Sequence, residues 1–225
     1  MIRAVIFDMD GTIFDTETVL LRVWEQLVEA GMIPADIFEL LPGMVGKIRS
    51  AIHQDLLAHY GKDFPLEELY RTRAEMIERE LDRNGVPLKP GVPQVFEALR
   101  EKGLRTAIAT STSAGSVADY MRRTGLAPYF DTIVTGDRVT NGKPAPDIFL
   151  LAARELGCRP EECLVVEDSH NGVRAGAAAG MRVVMIPDVQ KATEEFCRLS
   201  FRVCDTMWEV PAIVDGLNST SEPNP

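Results

Sequence analysis

Positive charge is what this sequence has too little of: 24 Lys and Arg face 34 Asp and Glu, leaving a formal net charge of −10 and a pI of about 4.9. Nucleic acids and anionic membranes both call for a basic footprint, so neither is expected as a partner. Cysteine and histidine are also scarce. Cys158, Cys163, Cys197 and Cys204 fall at spacings that match no zinc pattern, and the three histidines are too few to complete one. Reduced thiols in a cytoplasmic protein are the plain reading. No uninterrupted apolar stretch is long enough to span a bilayer. The run from Met1 to Phe7 is too short for a signal peptide and leads straight into acidic residues. The expectation is a soluble, cytoplasmic monomer in which any anionic ligand is held by a local set of cations.

What is present is a change of period along the chain. Ala4-Val5-Ile6-Phe7 is a short apolar run that reads as a buried parallel strand. From Asp15 the apolar residues recur at helical spacing: Val19, Leu20, Val23, Trp24, Leu27 and Val28, with Gly31 as the stop. A short helix is expected from Asp36 to Leu41, ended by Pro42-Gly43. Two more helical stripes, Ile48 to Tyr60 and Leu66 to Leu81, stop at Gly61 and Asn84-Gly85. Beyond Pro90 strands alternate with helices. Strands are expected at Thr106–Ala109, Thr132–Val134, Leu164–Val166 and Val183–Ile186, the last clear one. Such alternation predicts a Rossmann-like, doubly wound parallel sheet. The all-helical block 16–86 is then an insertion after the first strand, with 1–15 and 87–217 forming the α/β core. Asp15-Thr16 and Val86–Pro90 are the expected hinges. The polar tail 218–225 is expected to be disordered.

Sites in open α/β sheets form at the carboxyl ends of the strands. There the sequence places Asp8-Met9-Asp10-Gly11-Thr12, Thr110-Ser111-Thr112, Lys143-Pro144 and Glu167-Asp168. Singly, each has an ordinary explanation: a solvated turn, a loop residue, a helix cap. Together and in this order they suit a metal and a phosphate. Of two carboxylates diverging around one centre, one can attack phosphorus while the other works as general acid and base. Asp168 adds a hard oxygen ligand of the type magnesium takes. Lys143 is a point charge for phosphoryl oxygens. Thr110, with Ser111 and the neighbouring N–H groups, can hydrogen-bond the same oxygens.

Phe7 to Glu17 (FDMDGTIFDTE), Ala109 to Ser113 (ATSTS), Gly142 to Phe149 (GKPAPDIF) and Val165 to Gly176 (VVEDSHNGVRAG) resemble the four motifs of the haloacid dehalogenase superfamily. The likeness is to its branch of sugar phosphatases and β-phosphoglucomutases, which carry a small helical cap after the first motif. The resemblance implies that Asp8 is the nucleophile and Asp10 the acid/base. It implies that Thr110, Ser111 and Lys143 hold the phosphoryl group. It further implies that Asp8, the Asp10 carbonyl and Asp168 bind Mg²⁺, with Glu167 an additional ligand or a support behind it. The presence of Asp10 favours phosphate esters, because the dehalogenases and phosphonatases of this superfamily lack an aspartate there.

The cap should choose the leaving group of a small phosphorylated metabolite, expected to be a sugar or polyol phosphate. Arg73 falls on the apolar stripe of its helix, where it either faces the site or snorkels from the stripe's edge. Lys47 and Arg49 lie where related caps carry a substrate-specificity loop. β-Phosphoglucomutases of this branch have a histidine where this chain has Leu20, which favours a phosphatase over a hexose-phosphate mutase. A non-catalytic interaction module is the remaining alternative, and every motif position is filled against it.

Overall fold

A computed structural model describes residues 1–44 and 47–219. The chain begins with β1 (Ala4–Phe7) and then runs through four consecutive helices: α1 (Thr16–Glu29), α2 (Ile37–Met44), α3 (Arg49–Tyr60) and α4 (Leu66–Asn84). It then alternates: α5 (Val92–Glu101), β2 (Arg105–Ala109), α6 (Ala114–Thr124), β3 (Thr132–Val134), α7 (Asp147–Glu155), β4 (Cys163–Glu167), α8 (His170–Ala178) and β5 (Arg182–Met185). It closes with α9 (Glu194–Leu199), β6 (Arg202–Val203) and α10 (Val210–Ser219).

All strand pairings are parallel, in the order β3-β2-β1-β4-β5-β6. The order reverses direction between β1 and β4, so the crevice where a ligand sits in such sheets opens beyond the ends of those two strands. Alternate residues of a strand face opposite sides. Val5 and Phe7 join α5, α6 and α10 in one apolar layer, whereas Ala4 and Ile6 join α7, α8 and α9 in the other. Phe7 meets Phe96 edge to face at 5.1 Å between ring centroids. Burying such side chains at about 1.5–3 kcal/mol each is what offsets the entropy of ordering the chain.

The helices α1 to α4 have an apolar cluster of their own, around Val23, Trp24, Leu27, Leu56 and Leu69. They join the sheet layer through two adjacent linkers. Asp15 N–H donates to the Pro87 carbonyl and Lys89 N–H to the Ile13 carbonyl, each at 2.9 Å. Lys89 Nζ ties this junction to the core, with Asp15 at 3.1 Å and Asp188 at 2.8 Å.

Three sequence expectations are corrected. The helix α2 runs through Pro42-Gly43 to Met44 instead of stopping there. A proline near the end of a helix costs one internal hydrogen bond, and among the described residues two helical ones follow it here. The strand β6 was not expected, since two residues at an exposed edge leave no apolar period to read. It is held by backbone bonds, Phe201 N–H to Val183 and Cys204 N–H to Met185, both 2.8 Å, and by Val203, which packs on the apolar layer beneath. The tail expected from Asn218 is shortened, because Asn218 and Ser219 belong to α10. The Asn218 amide donates to the Ile2 carbonyl and accepts from the Ile2 N–H. Residues 220–225 of that expected tail lie outside the described residues. All four cysteines are free, and no described helix is long and apolar enough to cross a membrane.

Candidate active site

Asp8 is the first residue beyond β1, and its N–H still bonds across to Val166 of β4 at 2.9 Å. The chain then turns sharply. Met9 accepts from the N–H groups of both Ile13 and Phe14, and Gly11 donates to Phe14 at 2.8 Å. Gly11 has φ +81°, and a Cβ there would stand 2.4 Å from Asp168 Oδ2. The position therefore needs glycine twice over, for its backbone and for the room that Asp168 occupies.

Four strand ends deliver the expected groups to this turn. Lys143 Nζ lies 2.5 Å from Asp8 Oδ1 and 2.6 Å from Glu167 Oε1, and all three side chains are buried. The other Glu167 oxygen, Oε2, accepts from Asp168 N–H, Ser169 N–H and Ser169 Oγ at 2.8–2.9 Å. The turn into α8 is thus wrapped around Glu167, so closely that a Cβ on Gly172 would fall 1.6 Å from Oε1. Asp168 Oδ1 accepts from Thr12 Oγ1 at 3.2 Å. Thr110 is buried, its Oγ1 accepting from Thr112 N–H at 3.1 Å, and Ser111 follows it, partly exposed, ahead of α6. Asp10 stands apart from the Lys143 group. Its two oxygens accept from Thr16 Oγ1 and Thr112 Oγ1, each at 2.6 Å.

The electrostatics follow from burial. Desolvation pushes the Asp8 carboxyl well above its usual range. Lys143 opposes this, while Glu167 and Asp10 add to it. Burial works against the Lys143 ammonium too, but the charges of Asp8 and Glu167 outweigh it and hold the ammonium above its usual range. Asp8, Glu167 and Asp168 bring carboxylate oxygens within 4.8 Å of one another. That donor set, hard and anionic, fits a divalent cation such as magnesium. Asp8 and Asp168 are the more available ligands, since both Glu167 oxygens are engaged.

The cap cations are arranged differently. Lys47 pairs with Asp55 at 2.8 Å, Arg49 lies over the Tyr70 ring at 4.5 Å, and Arg73 lies over the Trp24 ring at 5.0 Å. The Arg73 charge acts on the core at the Tyr120 hydroxyl. Burial raises that hydroxyl's pKa, the Asp10 charge raises it further, and Arg73 opposes both. His170 stacks on Phe196 at 3.7 Å and bonds the Lys191 carbonyl rather than a carboxylate of the site.

Sequence reasoning missed the hydroxyls of Thr12, Thr16 and Thr112, which orient the carboxylates, and Tyr120 beneath the cap. Their signal was present in part, since the three threonines lie within or beside the quoted motifs, but nothing in their spacing says which oxygen they bond.

The haloacid dehalogenase-like hydrolase family model matches residues 2–180. The phosphorylated carbohydrates phosphatase of Thermotoga maritima is 34% identical, covering 80% of this chain and 82% of that protein. The fructose-1-phosphate phosphatase YqaB of Escherichia coli is 33% identical, over 80% and 93% of the two chains. The crystal structure of CbbY from Rhodobacter sphaeroides in complex with phosphate superposes with a TM-score of 0.77 at 31% identity, covering 93% of this chain and 96% of that one.

Proposed function

This chain belongs to the haloacid dehalogenase-like hydrolase family, and from that premise we propose that it is a cytoplasmic, magnesium-dependent phosphatase of a small sugar or polyol phosphate. The observation that carries the reading is the buried Asp8–Lys143–Glu167 chain at the sheet's switch point, with Asp10 and Asp168 beside it. Two sugar-phosphate phosphatases among the relatives support the substrate class.

In the proposed reaction an Asp8 oxygen attacks phosphorus in line and the bond from phosphorus to the leaving oxygen breaks. Asp10 gives its proton to that oxygen. It then takes a proton from water, which attacks the aspartyl phosphate and frees Asp8 and inorganic phosphate. Lys143 and the Thr110-Ser111 turn hold the phosphoryl oxygens, and Glu167 keeps Lys143 in place. A divalent cation held by Asp8, Asp168 and the Asp10 carbonyl would supply positive charge against the repulsion between carboxylate and phosphate. Thr16 and Thr112 keep the Asp10 carboxyl aimed. The cap closes over the leaving group, with Arg73, Arg49 and Lys47 as its candidate contacts. Leu20, on α1, offers no acid or base for a mutase cycle.

The test is phosphate release from a panel of sugar and polyol phosphates, with and without magnesium, by the wild type and by Asp8→Asn. The expected outcome is release by the wild type alone, in step with substrate loss, from a variant pair with the same circular dichroism. Undiminished release by Asp8→Asn overturns the mechanism. Conversion of glucose 1-phosphate to glucose 6-phosphate with little phosphate released overturns the phosphatase reading.

A further inference from the structure

The cap meets the core at a point that the chemistry above does not use. Gln190 lies in the loop between β5 and α9. Its Oε1 accepts from the His170 N–H at 2.7 Å, and its Nε2 donates to the Pro42 carbonyl at 2.5 Å. His170 is the first residue of α8, and Pro42 lies in the last turn of α2. The first N–H groups and the last C=O groups of a helix have no partner inside it. One amide side chain therefore joins an N–H at the start of a core helix to a carbonyl in the last turn of a cap helix.

The placement gives this bridge a role. On the core side it holds the start of α8, two residues beyond Asp168. On the cap side it holds the last turn of α2. A second contact crosses the same mouth: Ile48 packs on Gly142, so closely that a Cβ on Gly142 would stand 2.4 Å from Ile48 Cγ2. Gly142 immediately precedes Lys143. Pro42 and Ile48 of the cap thus rest on the two loops that follow β5 and β3. Pro42 is exposed, so its carbonyl returns to water when the cap lifts, and the bond can be broken and remade at small net cost.

We propose that Gln190 is the latch of the cap, a positioning residue whose bond to the Pro42 carbonyl favours the closed state while its other end stays fixed on α8. Its catalytic consequence rests on the phosphatase reading; the closure itself does not. A net hydrogen bond of ordinary strength shifts an open–closed ratio by about three- to tenfold.

The two ends of the amide give a test that separates a latch from a helix cap. Gln190→Glu keeps an oxygen for the His170 N–H, and a negative charge suits the start of a helix. It also sets a carboxylate oxygen against the Pro42 carbonyl, where two acceptors repel. Gln190→Leu removes both bonds. Energy transfer between dyes on Cys197, the exposed thiol of the core, and on an Arg71→Cys substitution in the cap reads the closed fraction in the full chain. The expected result is a closed-to-open ratio lowered about three- to tenfold by Gln190→Leu and at least as far by Gln190→Glu. For a sugar phosphate that the wild type hydrolyses, KM should rise by the same factor with kcat held within about twofold. An unchanged closed fraction in Gln190→Glu overturns the latch. So does a loss in Gln190→Leu alone, which marks a helix cap and no more. If the wild type hydrolyses no sugar phosphate, the functional reading falls, and the dye measurement still decides the latch.

Discussion

The core site and the cap hold their charges by opposite means. In the core, Lys143 is enclosed between Asp8 and Glu167, backbone N–H groups orient Glu167, and threonine hydroxyls orient the neighbouring Asp10. In the cap, Arg49 and Arg73 rest on aromatic faces, and Lys47 makes a half-exposed ion pair. A buried charge keeps its place because moving it uncovers an uncompensated partner. The attraction of a cation for a ring face is broader and more modest. On the proposed function, this difference sets a rigid site for the phosphoryl group under a more adjustable one for the leaving group.

The contrast breaks first at Lys143. Replacement by Met leaves Asp8 and Glu167 buried without their cation, so a loss of stability of about 3–5 kcal/mol is expected, read as a lower denaturant midpoint. Turnover should be lost for every substrate tested. A stable, active Lys143→Met would make the core as adjustable as the cap. The next effect belongs to Arg73. Arg73→Ala should lower kcat/KM for the best sugar phosphate by tens-fold, the cost of losing a charged contact, and change acetyl phosphate hydrolysis far less. Lys47→Ala should have the smaller effect of the two cap variants, because Asp55 already takes its charge and an exposed pair contributes about 0–1 kcal/mol. Equal losses on both substrates would place Arg73 in the core chemistry instead.

The smallest effect sharpens the comparison through pH. Asp8 in the folded chain is raised above its usual 3.8, chiefly by burial. Between those values the folded chain keeps a proton that the unfolded chain releases, so this group's contribution to stability falls as pH rises through the window. In chelator, the melting temperature of Asp8→Asn relative to wild type should therefore climb with pH above the ordinary carboxylate range. Magnesium should shrink the difference by favouring the ionised carboxylate. A difference that stays flat with pH would mean that Asp8 is not desolvated as the geometry has it.

The sequence by itself determined the α/β class, the helical run after β1 and the gathering of polar groups at the carboxyl ends of the strands. Those features are local. Period separates strand from helix, and a parallel sheet brings the ends of its strands to one edge whatever else the chain does. The placement of Asp8, Asp168, Lys143 and Thr110 at that edge was legible for that reason. Only the tertiary structure decided who pairs with whom. Lys143 finds Asp8 from 135 positions away, Thr112 finds Asp10 from 102, and Gln190 finds Pro42 from 148. No periodicity encodes such a partner, because it depends on how whole layers pack. The same holds for β6, which exists because β5 offers it an edge, and for α2, which runs on through Pro42. It holds also for Arg73, whose helical register was readable from sequence but whose ring partner, Trp24, was settled by the packing of the cap helices against one another.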